Sequence, residues 1–306
     1  MYVPQDRYVW DFWLIAHAGR YHLFHLQAPR GLPDPEMRHG LATVGHAVSQ
    51  DLVHWQDLGA ALGPGRPGEW DDRAIWTGSV IKRDGLFYML YTGTCRAEGG
   101  RVQRIGLAVS RDLLHWEKHP GNPVLEADSE WYEGVEGSPF GELAWRDPYL
   151  FQHEGVYFAL ITARRGEGEP NKRGCIATAR SEDLVHWQVG PPLEVPAGFA
   201  QMEVPQAIRH EDRFYLLFSS EAGWVADERC PRATGTFYAT APTLFGPYSV
   251  PKPLLGDPFY AAKLIQTFRG RWVALAWVGT AGGGFIGGIS DPMPVRFKAD
   301  GEIEVG

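Results

Sequence analysis

Apolar and polar residues alternate with a period of two along most of the chain, in short runs bounded by glycine or charged turns, the pattern of half-buried β-strands. Five such runs resemble one another: GRYHLFHL from Gly19, GLFYMLYT from Gly85, GVYFALIT from Gly155, DRFYLLFSS from Asp212 and GRWVALAW from Gly270. Each follows a second apolar run, namely VWDFWLIAHA, AIWTGSVIKRD, WRDPYLFQHE, MEVPQAIRHED and YAAKLIQTFRG. Downstream comes a third strand with a recurring close, GHAVSQDLVHW ending at Trp55, GLAVSRDLLHW at Trp116 and CIATARSEDLVHW at Trp187, with a weaker copy, FYATAPTLFGPYSV, ending at Val250. The unit is therefore strand, turn, strand, loop, strand, and no helical period runs beyond about two turns. The anchors Tyr21, Phe87, Tyr157, Phe214 and Trp272 are 66, 70, 57 and 58 residues apart. Five small antiparallel sheets in radial repetition protect their edges, so the pattern predicts an all-β, five-bladed β-propeller. No Pro/Gly/Ser linker divides residues 1–306, which read as a single propeller domain with no C-terminal β-sandwich.

The recurring Ser-x-Asp-Leu-x-x-Trp close reads as structural: its polar residues suit a tight turn, and its tryptophan suits packing between blades. His54, His115 and His186 within it are expected to serve the turn rather than a metal. Residues 272–290 carry no charge and include six glycines, which predicts two strands and a turn, not a membrane span. With 44% hydrophobic and 22% charged residues the composition is that of a globular chain, and disordered or collagen-like classes are excluded. A net charge of −8 supplies no field to attract nucleic acid or an anionic membrane, so neither is an expected partner. Cys95, Cys175 and Cys230 are odd in number and lack CxxC spacing, which argues against zinc and against a disulfide framework. No DxDxDG loop points to calcium, and no cofactor is expected. With no visible signal peptide at the N-terminus, a cytoplasmic location is expected.

Inner propeller strands converge on one axis, and the first strand of each unit carries the candidate chemistry: Asp11; Trp76-Thr77-Gly78-Ser79; Arg146-Asp147-Pro148; Glu203; and Tyr260 with Lys263. Three carboxylates thus come from three units at similar places in the repeat, each inside an apolar run where burial of a charge needs compensation. Paired carboxylates flanking a glycosidic bond are what glycoside hydrolysis requires. Asp11, between Trp10 and Trp13, must stay ionised to attack, whereas Glu203, between Met202 and Val204, sits in a setting that favours the protonated acid. Arg146 and Asp147 point to opposite faces of an ideal strand. Both reach one ligand only if Pro148 and a bulge re-aim the chain.

At these residues the sequence resembles the invertase/levansucrase-like superfamily of β-fructofuranosidases. Val9-Trp10-Asp11-Phe12-Trp13 looks like the levansucrase nucleophile segment and Trp145-Arg146-Asp147-Pro148 like the shared Arg-Asp-Pro motif. Trp76-Thr77-Gly78-Ser79, Tyr21-His22-Leu23-Phe24 with Gln27, and Phe259-Tyr260-Ala261-Ala262 resemble further invertase segments. The resemblance implies a retaining mechanism on small β-fructofuranosides, with Asp11 as nucleophile, Glu203 as general acid/base, and Asp147, assisted by Arg146, stabilising the transition state. Trp10, Gln27, Trp76, Thr77, Arg146 and Tyr260 are the expected substrate-binding residues, Trp10 and Trp76 as sugar platforms, and a carbohydrate is the expected partner. The invertase Asn-Asp-Pro-Asn-Gly is absent around Asp11, and Glu203 continues as Val-Pro. An inverting arabinan- or xylan-cleaving enzyme, a fructosyltransferase and a non-catalytic sugar-binding propeller are therefore the alternatives.

Overall fold

In the computed structural model, which describes residues 1–196, 198–281 and 284–306, the strands form five antiparallel sheets, the blades of a propeller. Blade one comprises Arg7–His17, Arg20–Pro29, Thr43–Ser49 and Gln56–Leu62; blade two Ala74–Arg83, Leu86–Thr94, Gln103–Ser110 and Glu117–Lys118. Blade three comprises Trp145–His153, Val156–Arg164, Gly174–Ser181 and Gln188–Gly190; blade four Glu203–His210, Arg213–Ser220, Gly235–Ala241 and Lys252–Gly256. Blade five holds Phe259–Gln266, Trp272–Ala281, Gly284–Ile289, Met293–Phe297 and Ile303–Val305, with the third and fourth of these sharing the edge of Trp272–Ala281. The two strands expected within residues 272–290 are present; Gly282 and Gly283 of the turn lie outside the described residues. The fourth, outermost strand of blades one to four is an element the sequence pattern did not show. It is short and carries little alternation, shrinking to Glu117–Lys118 in blade two.

Apolar packing joins the blades in a ring. Five buried clusters each draw on two neighbouring blades: Phe24 and Val44 meet Met89 and Tyr91; Leu107 meets Trp145 and Ile161; Ile176 meets Phe218 and Phe237. Tyr215 and Leu217 meet Leu264, and Leu275 and Ile289 meet Val9 and Leu23, which closes the circle. The recurring close behaves as its composition predicts. In blade two the Ser110 hydroxyl accepts from Asp112 and Leu113 N–H, and Asp112 accepts from the N–H groups of Leu114 and His115 and binds the His115 ring. Trp116 then packs edge-on to Phe24 of blade one at 5.6 Å. His54 and His186 bind Asp51 and Asp183 in the same way. Cys95, Cys175 and Cys230 are buried and free.

Each inner strand carries one bulge, at the same level: after Trp10, Trp76, Arg146, Glu203 and Tyr260. An inserted residue resets the alternation of a strand and turns it. In blades three, four and five the first bulged residue is left-handed, with φ of 57° at Asp147, 50° at Val204 and 49° at Ala261. Its N–H is received by a hydroxyl on the second strand of the preceding blade: Asp147 by Thr92 at 3.0 Å, Val204 by Thr162 at 3.2 Å, Ala261 by Ser219 at 3.0 Å. All three hydroxyls are fully buried. Thr92→Val keeps the shape but strands the Asp147 N–H, at a cost of about 1–3 kcal/mol. Thermal unfolding should therefore show Tm lower by about a few °C, and an unchanged Tm would show that the bulge holds without this bond.

Candidate active site

The bulges deliver their flanking side chains to one end of the axis. There a cavity of about 660 Å³ is walled by Trp10, Asp11, Trp76, Thr77, Arg146, Asp147, Glu203 and Tyr260, so the five blades all contribute. A larger open depression of about 1250 Å³ lies on the flank of blade three. Its carboxylates, Glu126, Asp128, Glu130 and Glu194, are exposed and solvated, so the axial cavity is the candidate site.

Asp11 accepts from the Thr77 hydroxyl at 2.8 Å. Asp147 accepts from the Thr162 hydroxyl at 2.9 Å and from Val204 N–H at 3.1 Å. Arg146 and Asp147 reach the same cavity because the bulge, with Asp147 left-handed, breaks the alternation that would separate them. Glu203 accepts from Arg146 at 2.7 Å and from the Tyr260 hydroxyl at 2.7 Å. The other guanidinium nitrogen of Arg146 donates to Glu142 at 3.1 Å and to Gln103 at 3.1 Å. With Nε also 3.7 Å from the Asp147 carboxylate, Arg146 joins three carboxylates. Burial disfavours its charge, but Glu142, Glu203 and Asp147 together push its pKa above the usual arginine value.

Burial also reverses one expectation. Asp11 is not held ionised by a set of donors: among the described residues its one hydrogen bond is that from Thr77, and burial, followed by the Asp147 carboxylate, pushes it up to about 7. Asp147 is raised by burial too, against the pull of Arg146. Nor is Glu203 surrounded by its sequence neighbours. Met202 packs into the core between blades three and four, and the groups on the Glu203 carboxylate are polar and come from blades three and five.

Gln27 is a correction. It lies on the second strand of blade one, opposite Val9, donates to Thr43 at 3.4 Å, and packs with His25 over Gly45, where any Cβ would collide with both. The cavity wall beside Trp10 is Leu26. Trp10 borders the cavity but is 2% exposed, with the Arg38 guanidinium 5.5 Å over its ring; Trp76, half-buried and donating to the His39 carbonyl at 2.8 Å, is the more open of the two. Trp13 and Trp145 belong to the inter-blade core. Sequence reasoning missed Glu36, Arg38, His39, Glu142, Glu221 and Asp257, which line the cavity from outside the strands. No period marks such residues; the signal available was Glu142 four positions before Arg146.

Three carboxylates of three blades in one sugar-sized cavity place this propeller in the class of glycoside hydrolase folds. Residues 13–283 match the family model described as Glycosyl hydrolases family 32 N-terminal domain, and the chain belongs to that family. The matched span contains Asp147 and Glu203 and begins two residues after Asp11. A sucrose-6-phosphate hydrolase of Pediococcus pentosaceus is 27% identical over 270 residues, 85% of this chain and 50% of that protein. A raffinose invertase of Escherichia coli is 27% identical over 298 residues, 94% of this chain and 56% of that protein. The chain thus spans about half the length of these curated relatives. Among solved structures, the inulosucrase from Halalkalicoccus jeotgali bound to kestose superposes with a TM-score of 0.80 at 21% identity, covering 100% of this chain and 89% of that one. The GH32 β-fructofuranosidase of Bombyx mori gives 0.76 at 21% identity, covering 100% and 64%. At these identities the structural likeness speaks for the fold.

The burial of Asp11 has a measurable consequence. An acid whose proton is held more tightly in the fold contributes stability while protonated, and that contribution is lost as pH rises through about 7. Asp11→Asn is neutral throughout. Its Tm should match wild type near pH 4 and exceed it by about a few °C at pH 8; equal Tm values at pH 8 would contradict the account.

Proposed function

We propose that the chain hydrolyses small, uncharged β-fructofuranosides with retention of configuration. The observation that carries the reading is the meeting of Asp11, Asp147 and Glu203 in the axial cavity, with Arg146 and Tyr260 fixing the Glu203 carboxyl. In the first step an Asp11 oxygen bonds to the anomeric carbon as the glycosidic C–O bond breaks, and Glu203 gives its proton to the departing oxygen. In the second, Glu203 takes a proton from water, whose oxygen displaces Asp11 and returns its carboxylate. Asp147, accepting from ring hydroxyls, holds the sugar most tightly as positive charge develops on the ring. The Arg146–Glu203 pair must loosen when Glu203 carries a proton, and Glu142, already 3.1 Å from Arg146, is the partner that remains.

Charge supports an uncharged substrate. The cavity wall holds Asp11, Asp147, Glu203, Glu36, Glu142, Glu221 and Asp257 against two arginines. Arg38 is already paired with Glu36, and Arg146 with Glu142 and Glu203. Burial, then Glu203 and Glu36, raise the Glu221 carboxyl, a sign of crowded negative charge. A phosphate ester entering this wall meets like charge.

Purified protein should therefore turn over sucrose with kcat/KM at least about tenfold above that for sucrose 6-phosphate. The reverse ranking would overturn the uncharged-substrate reading, and inverted anomeric product in an NMR time course would overturn retention. Glu203→Ala should lose most activity on sucrose but retain it on aryl fructosides with good leaving groups, which need little protonation. Equal loss on both classes would remove Glu203 as the acid.

A further inference from the structure

Beneath the cavity floor lies a second, smaller space of about 160 Å³ along the axis, lined by Thr77, Ser79, Asp147, Tyr149, Val204, Pro205, Gln206 and Lys263 among others. Lys263, on the inner strand of blade five, is buried there, and its ammonium donates to two successive carbonyls of the blade-four bulge, Val204 at 2.9 Å and Pro205 at 2.9 Å. The same bulge begins just after Glu203, and its Val204 N–H donates to Asp147. One lysine therefore grips the peptide that carries Glu203 on one side and binds Asp147 on the other. It makes no ion pair within 4 Å among the described residues, so its charge is left to act on the floor of the cavity.

We propose that Lys263 is a positioning residue of the active site: it pins the blade-four bulge that aims Glu203, and its charge is the counter-cation, from below, of the half-buried Asp11 carboxylate, whose hydrogen-bond donor Thr77 lines both spaces. The proposal rests on the catalytic roles given above for Asp11 and Glu203. The groups that line the two spaces with Asp11 and Lys263 are known from every blade. Blade one offers Tyr21 and, between its second and third strands, Glu36, Arg38 and His39. Blade two offers the uncharged Thr77 and Ser79; blade three offers Asp147, Arg146 and the Tyr149 ring, 5.8 Å from the ammonium; blade four offers Glu203; blade five offers Tyr260. Lys263, Arg146 and Arg38 are the arginine and lysine cations of this set; Arg146 is spent on Glu142 and Glu203, and Arg38 on Glu36. Burial lowers Lys263 to about 8, with Asp11 and Asp147 opposing the fall, so the ammonium is charged through the neutral range in which Asp11 ionises.

Two readouts test the charge. In kcat/KM against pH on an aryl fructoside, the acid limb reports ionisation of Asp11. Lys263→Met should move that limb up by about 1 pH unit, whereas Lys263→Arg, which keeps the charge, should leave it in place while altering kcat. An unmoved limb in Lys263→Met would overturn the electrostatic role. The second readout needs no activity. In a thermal-unfolding cycle at pH 7.5, roughly the midpoint between the two titrations, Asp11→Asn should raise Tm more in the Lys263→Met background than in wild type. Additive effects would overturn the proposal. Should Lys263→Met fail to fold, Lys263→Gln, whose amide still donates to the carbonyls, carries the same cycle. A chain inactive on every fructoside would defeat the proposed function, and the cycle would still decide the coupling between Lys263 and Asp11.

Discussion

The axial cavity depends on one hydrogen bond made three times: a hydroxyl near the end of the second strand of one blade receives the bulged N–H of the next blade's inner strand. Left-handed backbone at Asp147, Val204 and Ala261 is a conformation that costs on the order of 1–3 kcal/mol at a non-glycine residue. Buried Thr92, Thr162 and Ser219 make the strained form the satisfied one. Without the inserted residue, neighbours such as Arg146 and Asp147 would point to opposite faces and the cavity would lose one of each pair. The junctions between blades and the geometry of the site are therefore the same structure.

That geometry concentrates negative charge. Asp147 is buried, with Asp11 half-buried beside it; Arg146 is committed to Glu142 and Glu203, while Lys263, held on the carbonyls of the bulge, keeps its charge free of any carboxylate within 4 Å among the described residues. Such a site is stable through its surroundings and not through its own interactions, which is common where binding or catalysis sets the residue choice. The inter-blade apolar clusters supply the offset.

Much of this was legible before the fold was known, for physical reasons. Strand alternation and a recurring turn are local, so the five units and the Ser-x-Asp-Leu-x-x-Trp close stand out. Asp11, Asp147 and Glu203 are conspicuous because each interrupts an apolar run, and Pro148 after Arg-Asp marks a bulge. The outer strands escape notice because exposed residues such as Glu117 and Lys118 obey no period. Gln27 misleads because a strand's polar residue can face a neighbouring strand as readily as a cavity; here it covers Gly45. The electrostatics of Asp11 and Glu203 could not be read from Trp10, Met202 or Val204, since the deciding neighbours, Asp147, Arg146 and Tyr260, arrive from other blades. The hydroxyl ends of LYT, LIT and FSS were in plain view, but a partner 42 to 55 residues away gives them no local meaning.

The ring is fastened where its first and last parts meet. Tyr2 exchanges two backbone hydrogen bonds with Ile289, Arg30 donates to the Gly287 carbonyl, and the Tyr21 hydroxyl receives Phe268 N–H. Blade one therefore completes its packing only against blade five, so a chain emerging from the ribosome holds the face of its earliest strands unsheltered until the latest are made. Over that interval Val9, Phe12 and Leu23, destined for the last-formed junction, are the surface most in need of a chaperone's cover.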